Sequence, residues 1–192
     1  ILPVDLNANL YACEKRLALW AGKFEPEEKE RFDLAAKKRK RLMDEYMKGD
    51  DGLYYDYNFV TGERSRINCS GLFMPFIVGL LNDKNAFNRL IDRLFMSYGV
   101  VCVEKVPSDT VYQWGYPNSW AVDNYLAYSA AKAVGEEGKA EEIAKTYLKT
   151  VSEEFAKSGR LWEKYDAVVG GAATVNEYEV PEMLGWTAGV FE

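Results

Sequence analysis

The strongest constraint on the fold is an alternation that runs the length of the chain. Segments that are apolar nearly all round, at about 70–81 and 120–134 and with a third at 6–21, alternate with segments carrying a single apolar stripe, at 28–47, 84–97 and 139–157. In 28–47 the stripe is Phe32, Ala35, Ala36, Leu42, Met43, Tyr46 and Met47, with Lys and Arg opposite. A helix that is apolar on every side must be enclosed, whereas a striped one faces solvent. The first set therefore reads as inner helices and the second as outer ones. Links from inner to outer helix are short (22–26, 82–83, 135–138), while links from outer to inner are long and rich in Tyr and Trp. Up-and-down packing gathers all the long links at one end.

The expected fold is all-α: about three inner/outer helix hairpins forming part of a toroid, with short β-like hairpins in the long loops. Thr61-Gly62, after the aromatic run at 53–59, signals one such hairpin. Gly185 opens one more inner helix. A closed toroid needs about twice as many hairpins, judged by the usual size of a large domain. The chain is thus expected to be a single partial domain that requires a missing N-terminal half. Its opening, Ile1-Leu2-Pro3-Val4-Asp5, reads like the interior of a longer protein.

Loops gathered on a rigid scaffold are where function tends to sit. The stretch at 161–186 holds Glu163, Asp166, Glu177, Glu179 and Glu182 between tyrosines and tryptophans, around the run Gly170-Gly171-Ala172-Ala173. Glycines there free the backbone for tight turns and close approach. Flat rings beside carboxylates suit a sugar: rings cover its apolar face, and carboxylates accept from hydroxyls or move protons. The chain has no histidine, so a histidine-dependent nucleophile and a histidine-held metal are excluded within it, and proton transfer falls to carboxylates, Lys, Tyr or Cys. No cofactor and no metal is expected. Asp50-Asp51-Gly52 lacks calcium-loop spacing and reads as a turn. A net charge of −6 disfavours nucleic acid and anionic membrane as partners, and no apolar run is long enough for a bilayer. Cys13, Cys69 and Cys102 are odd in number and lack metal spacing, so they read as reduced thiols, which favours the cytoplasm slightly while leaving the compartment open. Asn68-Cys69-Ser70 is formally a glycosylation sequon, and capping of the following helix is the stronger explanation.

In the second long loop stands QWGYPNSW, at 113–120. Asn118 or Ser119 is a ready N-cap for the helix that follows, and Gln113 and Asn118 each offer donor and acceptor, as sugar hydroxyls require. This segment resembles the trehalase signature that usually reads Gln-Trp-Asp-Tyr/Phe-Pro-Asn-x-Trp. The Glu163-Lys164-Tyr165-Asp166 run, the glycine-rich spacer, Glu177-Tyr178-Glu179-Val180 and Gly185-Trp186-Thr187-x-Gly189-Val190 follow in trehalase order. The opening Leu2-Pro3-Val4-Asp5-Leu6-Asn7-Ala8 and Tyr54-Tyr55-Asp56-Tyr57 match as well, so the resemblance covers the whole chain.

The resemblance implies an (α/α)6 toroid and an inverting glycoside hydrolase acting on a small disaccharide such as α,α-trehalose. Inversion sets a general acid on one side of the anomeric carbon and a base that activates water on the other. By position, Glu163 matches the general base and Glu177 a second carboxylate near it, while Gln113, Trp114, Asn118 and Trp186 fall on sugar-binding motifs. The family's acid, an Asp in a Trp-Asp-x-Ser-x-Arg-Trp segment, has no counterpart in this chain. Gly115 replaces the usual Asp, Thr174-Val175-Asn176 replaces part of the glycine run, and Met183-Leu184 replaces Gly-Phe. These departures bear on specificity for trehalose more than on fold or class. They leave open a degenerate homologue that binds sugar without cleaving it, or a related glucosidase of different specificity.

Overall fold

The computed structural model of the protein describes residues 1–107, 112–174, 177–182 and 185–191. Helix α1 (Val4–Phe24) and helix α2 (Pro26–Tyr46) form the first hairpin. Glu25 ends one and begins the other, and Pro26, Glu27 and Glu28 supply the fixed φ and negative charge that suit a helix start. After β1 (Tyr57–Asn58) and β2 (Glu63–Arg64), a 3-10 turn (Ser70–Phe73) runs into α3 (Met74–Ile77). Helix α4 (Lys84–Leu94) begins at Asp83, whose carboxylate accepts from the N–H groups of Asn85 and Ala86. Strands β3 (Phe95–Met96) and β4 (Gly99–Val100) then lead to β5 (Asn118–Trp120), α5 (Ala121–Ala133), α6 (Glu137–Ser158), β6 (Lys164–Asp166) and α7 (Gly185–Phe191).

The inner helices pack in sequence, α1 on α3, α3 on α5 and α5 on α7, while α2 backs α1 and α6 backs α5. Phe73, Phe76, Phe87, Leu90, Ile91 and Ile143 fill the space between the two layers. Ala127, Ala130 and Ala131 keep the α5 surface low, so its neighbours approach closely.

Several local expectations change. The segment at 70–81 is shorter and tighter than one α-helix, because Pro75 stands in the first turn of α3 and Gly79 leaves it at φ 73°. Phe95, expected on the α4 stripe, belongs to β3. The N-cap of α5 is Trp120, not Asn118 or Ser119: both of those lie in β5, and the Asp123 carboxylate accepts from the Trp120 N–H at 2.9 Å. Asn68 caps nothing; Cys69 holds the N-cap position, and the Asn68 amide donates to Glu104 at 2.9 Å. On α1 the buried side chains are Val4, Ala8, Ala18 and Ala21, whereas Leu6, Leu10, Leu17, Leu19 and Trp20 are exposed.

The described parts of the long connections are tied to one another by backbone hydrogen bonds, in two sets. Leu2 bridges Tyr57, the Ser70 N–H donates to the Cys102 carbonyl at 2.8 Å, and the Cys102 N–H donates to the Asn118 carbonyl at 3.1 Å. Strand β5 then pairs antiparallel with β6. Satisfying the loop backbone in this way lets irregular chain pack without orphaned polar groups.

Candidate active site

The register of β5 and β6 sets the first contact. Trp120 stands directly opposite Lys164, Ser119 opposite Tyr165 and Asn118 opposite Asp166. Directly opposed residues share a face, and the Lys164 ammonium sits 4.8 Å from the centre of the Trp120 ring. Lys164 is wholly buried. A buried ammonium is costly unless paired, and its Nζ lies 2.9 Å from Glu163 Oε2, 3.1 Å from Tyr178 Oη and 4.2 Å from the centre of the Tyr178 ring. Glu163 is itself 6% exposed, and its Oε2 also accepts from Tyr178 Oη at 2.5 Å. Loss of solvent around the phenol, then the bond to Glu163, pushes the Tyr178 hydroxyl up to about 12, so it is a proton donor at neutral pH.

Glu177, next in the chain to Tyr178, is exposed, and its Oε2 accepts from the Gln113 N–H at 3.0 Å. The Gln113 carbonyl in turn accepts from Trp120 Nε1 and Asn118 Nδ2, both at 3.1 Å. Glu177, Gln113, Trp120, Lys164 and Glu163 therefore form one chain of contacts. Trp114 stacks on Trp120 with centroids 4.1 Å apart and an interplanar angle of 10°, and Trp186 meets both rings edge-on at 6.1 and 5.2 Å. Trp114 and Trp186 are each more than a third exposed, so two of the three indoles still face solvent. Asn118, expected to touch a sugar, is instead closed off from solvent, and its amide holds the loop carbonyl of Gln113.

Beside this wall, a cavity of about 400 Å³ is lined by Asp5, Asp56, Ser70, Trp114 and Asp123 among others. Asp123 is fully enclosed. Burial raises it to about 7, against the opposing pull of the Ser70 hydroxyl, 2.6 Å from Oδ1, and the Trp120 N–H. Glycine matters at one place above all. Gly170 has φ 80°, and a Cβ there would lie 2.8 Å from Tyr98 Cδ1, so β6 can close on this loop only with a bare α-carbon. Asp166 accepts from the N–H groups of Val168 and Val169, which makes it a turn residue. A larger open groove of about 870 Å³ borders Asp50, Asp51 and the β1–β2 hairpin. There the Asp51 carboxylate is taken up by the Leu53 N–H and the Tyr55 hydroxyl, as a turn requires. Val175, Asn176, Met183 and Leu184, where the sequence departs from the trehalase pattern, and the terminal Glu192 lie outside the described residues.

Sequence reasoning singles out Glu163 and Glu177 but passes over Lys164, Tyr178, Trp120 and Asp123. Lys164 and Tyr178 sit in the quoted motifs without a role. The signal available is a lysine flanked by Glu163 and Tyr165 in a β-like stretch, which must pair if buried.

The family model described as Trehalase matches residues 1–192. The chain is 31% identical over 196 aligned residues to the periplasmic trehalase of Xanthomonas axonopodis pv. citri, an alignment covering 99% of this chain and 34% of that protein. Among solved structures it is similar to the neutral trehalase of Saccharomyces cerevisiae, with a TM-score of 0.80 and 22% identity over 98% of this chain and 36% of that one. It is also similar to the GH63 mannosylglycerate hydrolase of Thermus thermophilus in complex with glucose, with a TM-score of 0.76 and 18% identity over 98% of this chain and 44% of that one. The chain thus spans about a third of the length of the curated relative it matches. Its inner and outer helices are part of an (α/α)6 toroid, and with its full length matched, the chain belongs to the trehalase family.

Proposed function

We propose that this chain forms the general-base side of an inverting glycoside hydrolase that cleaves α,α-trehalose. The reading rests on one observation: a buried carboxylate, Glu163, is held on one oxygen by Lys164 and Tyr178 beside a wall of three indoles. All of them stand at the end of the helical scaffold where the long loops converge. Glu163 takes a proton from water while the water oxygen bonds to the anomeric carbon. The glycosidic C–O bond breaks at the same time, and its oxygen takes a proton from an acid on the opposite face. That acid comes from the remainder of the ring, as does the rest of the pocket, so the isolated chain is inactive. Trp114 and Trp186 cover the apolar face of the sugar, and Glu177 holds the water or a hydroxyl.

The test is Glu163→Gln in the full-length protein. It lowers turnover by ~10²–10⁴-fold, while trehalose still quenches or enhances the tryptophan fluorescence. Wild-type hydrolysis releases one α- and one β-glucose, visible by NMR before the anomers equilibrate. Wild-type turnover in the variant, or two α anomers from the parent, overturns the reading. A second reading, sugar binding without cleavage, draws on Gly115. A Cβ at this position would stand 3.0 Å from the Tyr112 carbonyl oxygen, so the loop closes on a bare α-carbon where the family pattern carries Asp. Trehalose binding by the full-length protein with no glucose release would favour it.

A further inference from the structure

We infer that Lys164 and Tyr178 are a two-donor clamp that positions Glu163 by immobilising one of its oxygens and presenting the other to water. The inference rests on Glu163 as the base. Three observations carry it. Both donors converge on Oε2, Lys164 Nζ at 2.9 Å and Tyr178 Oη at 2.5 Å, and among the described residues no hydrogen bond goes to Oε1. The two donors are also bonded to each other, at 3.1 Å, which closes a triangle on Oε2 and holds that oxygen from two directions. The ammonium is then held from outside, between the Trp120 and Tyr178 rings at 4.8 and 4.2 Å, with no exposure to solvent.

A carboxylate gripped this way cannot rotate to offer Oε2. It also gains no lone-pair competitor at Oε1, the oxygen left to accept the proton of water. Lys164 is anchored through β6, opposite Trp120 in β5. Trp120 stacks on Trp114 and sends its Nε1–H to the Gln113 carbonyl. The clamp thereby ties the orientation of the base to the indole wall. Lys164 and Tyr178 are positioning residues, since neither reaches the reacting atoms.

The experiment uses the full-length protein and three variants. Lys164→Ala removes the propylammonium arm beyond Cβ, and turnover falls by about a hundredfold, the loss expected of a charge-assisted bond and a misplaced base. Added propylammonium, which matches the deleted atoms, restores at least a tenth of the activity, and propanol, its neutral counterpart, restores none. Equal rescue by both, or rescue by neither from a folded variant, overturns the clamp, since a cavity-filling or merely structural lysine behaves so. Should Lys164→Ala fail to fold, Tyr178→Phe decides alone. That side chain is partly exposed and loses one hydroxyl, and the clamp requires about a tenfold fall in kcat. Unchanged kcat in Tyr178→Phe refutes the proposal. Glu163→Gln separates the two levels: if it keeps activity, the assignment of the base is wrong, whereas an inactive Glu163→Gln with fully active Lys164→Ala and Tyr178→Phe sinks only the clamp.

Discussion

Asp123→Asn is the sharpest test of the electrostatics beneath the site. Asp123 is completely enclosed, yet it links two loops, accepting from the Ser70 hydroxyl at 2.6 Å and the Trp120 N–H at 2.9 Å. Burial raises its carboxyl from 3.8 to about 7. With the folded value above the unfolded one, the stabilisation it contributes is fully present below about pH 4 and is lost as pH rises through 7. At about 1.4 kcal/mol for each pH unit between the two values, that loss comes to about 4 kcal/mol. Asparagine has the same shape, accepts from the Trp120 N–H through its carbonyl and donates to the Ser70 oxygen, and it does not titrate. Carboxylates such as Asp33 and Asp44, which are held below their usual range by Lys29 and by Lys40 and Tyr54, tilt the whole curve the other way. The quantity to read is therefore the difference between variant and parent, in which those groups cancel. Urea unfolding followed by tryptophan fluorescence at pH 4.5, 6 and 8 measures it. The variant gains on the parent with each step up in pH, by about 3 kcal/mol between pH 4.5 and 8, since the span begins above the unfolded value. A difference that stays constant with pH refutes the assignment of Asp123 as a group ionising near neutrality.

Two further outcomes follow from single side chains. Tyr147 is 3% exposed and packs edge-on against Tyr165, and its hydroxyl has no hydrogen-bond partner among the described residues. Tyr147→Phe removes a desolvated donor at no cost in packing and raises stability by about 1 kcal/mol in denaturant unfolding. Gly170→Ala forces a Cβ to within 2.8 Å of Tyr98 and strains a backbone at φ 80°. It costs about 2 kcal/mol or more, and with β6 displaced it lowers turnover of the full-length protein as well.

Much of the helical framework was legible because its signals are local. The stripes of α2 and α6 repeat with helical period, and Glu25-Pro26, Asp83 and Gly159 mark ends by rules that need no tertiary contact. What resisted reading had lost its period. The segment at 70–81 is apolar at almost every step, so nothing in its pattern separates a 3-10 turn from an α-helix, and Pro75 and Gly79 decide the matter. Helix α1 misled in another way. Its apolar residues fall at helical intervals, but the alanines face the neighbouring helices while Leu6, Leu10, Leu17 and Trp20 face out. Hydropathy alone does not tell which apolar side of a doubly apolar helix meets which neighbour.

The site was less legible than the fold because its partners are assembled by strand register rather than by sequence spacing. Glu163 could be picked from its motif, but the facts that make it chemically useful lie across the chain: Trp120 opposite Lys164, Tyr178 reaching back from the glycine-rich loop, and Glu177 on the Gln113 N–H. A slip of one residue in the β5–β6 pairing would turn Lys164 to the other face, away from Trp120. The ammonium would then lose the Trp120 ring, and Glu163 would lose a donor. Asn118 shows the same effect in reverse. Its amide is suited to a sugar, but register places it inside, where it braces the loop that carries Gln113 and Trp114. Residues that share a motif thus divide into those that meet solvent and those that hold them there. That division is made by the pairing of two three-residue strands.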